Sequence, residues 1–86
     1  MASRTVASVG TREYDELLRL LRETRESAGL SQEALSHLLG KSRTFIGKIE
    51  AGSRRVDVIE LFAIVKLLDV KPLTFMKELH DRLERF

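Results

Sequence analysis

Eighty-six residues are enough for one hydrophobic core and no second one. Without cysteine the chain has neither a disulfide framework nor a thiolate metal site, and no apolar run nears the roughly 18 residues that cross a bilayer. A formal net charge of +2 is unremarkable and by itself points to no class of partner.

The first ten residues, MASRTVASVG, show no hydrophobic period, which predicts a flexible N-terminal arm over 1–10. They lack the apolar stretch of a secretory signal, so a cytoplasmic protein is expected. Thr11 can cap a first helix over about 12–28, with Tyr14, Leu17, Leu18, Leu21 and Ala28 as its buried stripe and Gly29 as its end.

Ser31 is a second N-cap, opening a helix over about 32–39 that places Leu35, Leu38 and Leu39 on one face. Gly40 follows, where a left-handed residue ends a helix without Cβ strain. Ser42 can cap a third helix over 43–51, whose Ile46 and Ile49 point back toward the leucines. Small Ser36, one turn before Gly40, lets a crossing helix come close. Two short helices across so short a turn make a helix-turn-helix.

A loop, Gly52-Ser53-Arg54-Arg55, leads to Asp57 and Glu60, which have the spacing of a capping box, with Val56 set to staple onto Leu61. Helix four is expected to run to about Leu68, with Leu61, Val58, Val65 and Leu68 facing the core. Pro72 suits the first position of a fifth helix that continues nearly to Phe86. One proline, five glycines and these periods give an all-α, five-helix domain: a helix-turn-helix body over 11–70 and a C-terminal helix over 71–86.

Helix four carries more apolar surface than one face holds, since Ile59, Ile64 and Leu67 fall near its polar arc. Helix five presents Leu73, Met76, Leu79, Leu83 and Phe86 at spacings close to a coiled-coil seam, with Phe75 as a second edge. Helix five can fold back over helix four, or the two can join a subunit interface; one face for each job satisfies both readings. The interface reading makes the protein a homodimer through Ile64, Leu67, Met76, Leu79, Leu83 and Phe86.

The segment SQEALSHLLGKSRTFIGKIE, with Gln32, Leu35, Leu39, Gly40, Ile46 and Ile49, followed by Glu50-Ala51-Gly52, resembles the helix-turn-helix of the phage repressor/Cro (XRE-like) family. The similarity runs from about Tyr14 to Met76 and implies a lambda-repressor-like fold with no cofactor. Two positions depart from the family pattern. Ser36 stands where alanine is usual, and Gly47 where a hydroxyl or longer polar side chain is common. Glycine inside a helix costs roughly 1 kcal/mol against alanine, so looseness or close backbone approach to DNA is expected at Gly47.

The resemblance assigns the groove-facing positions to Arg43, Thr44 and Lys48. Arg43 carries the fork that suits guanine O6 and N7, Thr44 can meet a thymine methyl, and Lys48 lies one turn on. Gln32 matches the family's phosphate-contacting glutamine, at a helix start that already favours an anion. Ser42, Lys41, Ser53, Arg54 and Arg55 flank the third helix and are expected at phosphates. Residues 41–55 hold five cations against one anion, Glu50. Arg25 and Glu50 match positions that form a buried ion pair in some relatives. Phe45 is expected to be partly buried and is not counted as a base reader.

Catalysis finds no support. His37 and His80 stand alone on faces expected to be solvated, carboxylates alternate with arginines as surface pairs do, and no nucleophile sits between a base and an orienting group. The expected function is therefore sequence-specific binding of double-stranded DNA by a homodimeric transcriptional regulator, most simply a repressor on a palindromic operator. The alternative is an antitoxin that autoregulates through the same face while binding a toxin. A module that kept the fold but lost DNA binding sits badly with five cations around the third helix.

Overall fold

Residues 10–85 are described by a computed structural model, in which the chain forms α1 (Arg12–Ser27), α2 (Gln32–Leu38), α3 (Phe45–Glu50), α4 (Val58–Leu67) and α5 (Pro72–Leu83). The expected arm over 1–10 lies outside the described residues except for Gly10, as does Phe86.

Local chemistry explains where most helices begin. Thr11 Oγ1 accepts from the Tyr14 amide at 3.1 Å, and Ser31 Oγ from the Ala34 amide at 3.0 Å. The Asp57 carboxylate accepts from Glu60 N at 2.7 Å while the Glu60 carboxylate accepts from Asp57 N at 3.1 Å, completing the capping box. Pro72 opens α5. Helix α3 differs from the expectation: its N-cap is Thr44, whose side chain makes no capping bond, so Arg43 and Thr44 precede the helix and Ser42 does not cap it.

The first four helices end alike. After α2, Gly40 takes φ 70°, the Gly40 amide donates to His37 O at 2.9 Å, and the Lys41 amide donates to Ser36 O at 3.0 Å. The same pair of bonds closes α4, but there Asp69 occupies the left-handed position at φ 63°.

The core is built from Leu18, Leu21, Leu35, Ile46, Ile49, Ile64, Val65, Phe75 and Leu79, among others. Helix α1 packs on α3 and α5, α2 on α3, and α4 on α5. Several expected inward positions face out instead: Ala28, Leu38 and Val58 are exposed, Val58 at 69%. The buried stripe of α4 and its C-cap is Leu61, Ile64, Val65 and Leu68, which centres the inward arc near Leu61 and Leu68, brings Ile64 inside it and leaves Val58 at its edge.

That arc corrects two interface assignments. Ile64 is 1% exposed and Leu79 is 8% exposed, both inside the protomer's own core, and Leu83 packs against that core. Phe75, read as a second edge, is buried as well. The inward face of α5 is held to α1 by Arg82, which donates to Glu16 at 3.1 Å and Glu23 at 2.7 Å, and within α5 to Glu78 at 2.8 Å. The large apolar side chains of α4 and α5 left outside are Val58, Ile59, Phe62, Leu67, Leu73 and Met76. Of these, Val58, Phe62 and Met76 share a groove between α4 and α5 with Pro72.

Candidate nucleic-acid interface

Helix α3 is six residues long, too short to hold its shape by its own hydrogen bonds, so its neighbours must fix it. Three anchors do so. Ile46 and Ile49 are fully buried beneath it. Ser36, fully buried on α2, accepts from the Ile46 amide at 3.0 Å and donates to Gln32 O at 2.8 Å. A side chain on the preceding helix thus supplies the cap that Thr44 does not. The sequence shows a small residue at this crossing; its hydroxyl was the available sign of the further role.

The third anchor is the Arg25–Glu50 pair. Arg25 Nε donates to Glu50 Oε2 at 2.7 Å and Arg25 Nη2 to Glu50 Oε1 at 3.0 Å, with both side chains less than a tenth exposed. Arg25 Nη1 also donates to Leu30 O at 2.8 Å. This two-pronged geometry ties the end of α1 to the end of α3 and to the loop before α2. Gln32 joins it, its Nε2 donating to Glu50 Oε1 at 2.9 Å. The Gln32 carboxamide lies across Gly47, so a Cβ there would stand 3.0 Å from Gln32 Oε1. Gly47 therefore accommodates a side chain from α2.

With its buried face fixed, α3 turns its start outward. Arg43, Thr44 and Lys48 are exposed and line one shallow depression with Gln32, Glu33, Gly47 and Ser53. Arg43 Nη1 lies 3.5 Å from Glu33 Oε1, and both side chains are largely in solvent, so water screens the pair. Glu33 is an anion within an otherwise basic surface, and the sequence reading gave it no role. Ser42 and Lys41 are exposed on the turn before α3, and Ser53 Oγ donates to Lys48 O at 3.2 Å.

Arg54 is placed differently from the expected phosphate contact. Its two terminal nitrogens, Nη1 and Nη2, donate to the Glu60 carboxylate at 2.9 Å each, and Nη1 also donates to Arg55 O at 2.8 Å. Its guanidinium lies 4.6 Å from the centre of the Phe45 ring, over the same aromatic that Lys41 Nζ approaches at 5.5 Å. Phe45 is only 7% exposed, more deeply buried than expected. Arg54 thus links the α3–α4 loop to the start of α4, and its hydrogen bond is the main reason the Glu60 carboxyl is held below its ordinary value. Arg55, next to it, is exposed.

His37 and His80 are exposed, and among the described residues no group of three or more His, Cys, Asp or Glu side chains could hold a metal ion. No helix among them is long and apolar enough to cross a membrane.

Residues 21–75 match the helix-turn-helix family model. No curated protein sequence matches the chain. Among solved structures, the chain is similar to an XRE-family-like protein from Pseudomonas syringae pv. tomato str. DC3000, at 34% identity and TM-score 0.77 over 81% of this chain and 85% of that one. It is also similar to the wild-type restriction-modification controller protein C.Esp1396I, at 25% identity and TM-score 0.78 over 88% and 99% of the two chains. A third match is that controller's tetramer in complex with its natural 35 base-pair operator, at 27% identity and TM-score 0.73 over 83% and 93%.

Proposed function

This chain belongs to the XRE-type helix-turn-helix family of DNA-binding transcriptional regulators, and from that premise we propose that it is a homodimeric repressor of a palindromic operator. The observation that carries the reading is the exposure of Arg43, Thr44 and Lys48 on one surface, at the start and first turn of a helix anchored from behind by Ser36 and Glu50. An edge so presented fits the major groove, where side chains can tell the four base pairs apart.

In this reading Arg43 reads a guanine through its fork, Thr44 meets a neighbouring thymine methyl, and Lys48 lies deeper along the groove. Gln32, Ser42, Lys41, Ser53 and Arg55 take phosphates and set the register without reading sequence. Arg54 is left out of that set because Glu60 and Phe45 already hold it. The controller matched above assembles as a tetramer on its operator, which supports an oligomer here. The dimer contact then falls on the outer apolar surface of α4 and α5, with Met76 and Leu67 joined by Phe62, Val58 and Leu73 in place of the buried Ile64 and Leu79. Half-sites about 34–36 Å apart follow from two recognition helices in successive major grooves.

The test is selection of bound duplexes from a random pool, followed by titration on the selected and on scrambled duplexes. A selected palindrome whose half-sites are one helical turn apart supports the reading. An unstructured pool after several rounds refutes it.

A further inference from the structure

The Gln32 carboxamide reaches from the first position of α2 across α3, over the bare backbone of Gly47. Resting on the DNA-binding reading above, we propose that Gly47 is a positioning residue that seats Gln32 on α3, so that its second amide N–H is aimed at a DNA phosphate oxygen. Gly47 does not have the left-handed φ of Gly40 or Gly52, so the backbone makes no demand for glycine there. It sits in the interior of α3, where glycine is a poor helix former.

The space above Gly47 supplies the reason. An added Cβ would meet Gln32 Oε1 at 3.0 Å, tighter than ordinary packing, with Gln32 Cδ behind it at an ordinary 3.6 Å. The carboxamide is the free end of a flexible side chain, so it is the part that yields. In giving way by a few tenths of an ångström it strains the 2.9 Å bond from Nε2 to Glu50 Oε1 and turns the amide from its seat. That acceptor is itself fixed, since Arg25 holds both Glu50 oxygens.

The result is a relay from the core to the surface. Arg25 fixes Glu50, Glu50 orients the Gln32 amide, and the missing side chain of residue 47 lets that amide lie flat. A carboxamide has two N–H donors, and Glu50 occupies one of them. The other belongs to an exposed side chain in the depression shared with Arg43, Thr44 and Lys48. Gln32 is neutral, so its contact adds affinity without releasing a counterion.

A double-mutant cycle on the full chain tests this, with Gly47→Ala, Gln32→Ala and the double variant titrated by fluorescence anisotropy against selected and scrambled duplexes over a range of salt. Each single variant is expected to lose about tenfold in affinity on both duplexes with the salt slope unchanged. The double variant should lose no more than Gln32→Ala alone. Thermal unfolding of Gly47→Ala should be no lower than that of the parent, because alanine favours the helix. In the free protein, the Gln32 side-chain amide resonances should move to exposed-glutamine positions in Gly47→Ala. Parent-like affinity in either single variant, additive losses, or unmoved Gln32 resonances would overturn the seating. A parent protein that ignores every duplex in dilute buffer overturns the DNA-binding reading instead, and the resonance test of the seat stands apart from that.

Discussion

The Ser36 hydroxyl and the Ile46 amide form a buried hydrogen bond of 3.0 Å that joins the two helices of the helix-turn-helix. Ser36→Ala keeps the volume small but leaves the Ile46 N–H buried without its acceptor. The expected cost is about 1–3 kcal/mol of stability, read by urea unfolding. Faster hydrogen exchange at the Ile46 amide, beyond that of core amides in α1, should accompany it. Unchanged exchange at Ile46 would show that the hydroxyl does not cap α3.

The Arg25–Glu50 pair makes a sharper demand. Glu50→Ala leaves a guanidinium that is almost fully buried without its carboxylate, at an expected cost of roughly 3–5 kcal/mol. Replacing both residues by apolar side chains of similar size should recover much of that loss. If the single variant unfolds at the parent's denaturant midpoint, the pair is not an anchor of α3.

The three arginines around α3 should separate cleanly. Arg43→Ala is expected to cost about 1–3 kcal/mol on the preferred duplex and to relax choice at one base pair. Arg55→Ala should weaken all sequences alike and flatten the salt slope by about one phosphate. Arg54→Ala should lower the unfolding temperature by a few degrees, since a half-exposed pair contributes only modestly, and leave the salt slope as it was. Identical behaviour of the Arg43 and Arg55 variants in gel-shift titrations would contradict the assignment.

Acid should loosen the molecule at two named places. Glu23 is held below its ordinary value of 4.5 chiefly by the hydrogen bond from Arg82, and Glu60 likewise by Arg54. A carboxyl whose value is lowered on folding binds protons more readily in the unfolded chain. Its contribution is therefore complete above 4.5 and is lost as pH falls through the lower folded value. The unfolding temperature should stay level from pH 7 to about 5 and drop below that. Arg82→Ala should make the drop shallower; a parallel curve would rule out this origin.

Asp69 offers a stabilising change. It holds the left-handed position after α4 that glycine holds after the first three helices, and it puts a negative charge just past the negative end of that helix. Asp69→Gly is expected to add about 1 kcal/mol, visible as a higher urea midpoint. A lower midpoint would mean that the Asp69 side chain makes a compensating contact.

Much of the fold was legible because its punctuation is local. Thr11, Ser31, Asp57 with Glu60 and Pro72 each act within one turn of where they sit, and each opens the helix expected of it. Helix α3 was misjudged because its cap comes from ten residues away, through Ser36, so the first helical residue is Phe45 and not Arg43. The apolar face of α5 could be read as a stripe but not as to what covers it. Leu79 meets the protomer's own core, whereas Met76, one turn earlier, stays outside. Arg54 and Arg55 look alike in sequence, and only the position of Glu60 and Phe45 separates a structural arginine from a free one. Gly47 gave a visible anomaly, but only the fold shows that the Gln32 side chain lies across it.

The central claim is that α3 is held so that its start reads base pairs. The most direct measurement is the ratio of affinities for the selected palindrome and a scrambled duplex of equal length and composition, at fixed physiological salt. The account predicts a ratio of at least about a thousandfold. Equal affinity for both duplexes would contradict it.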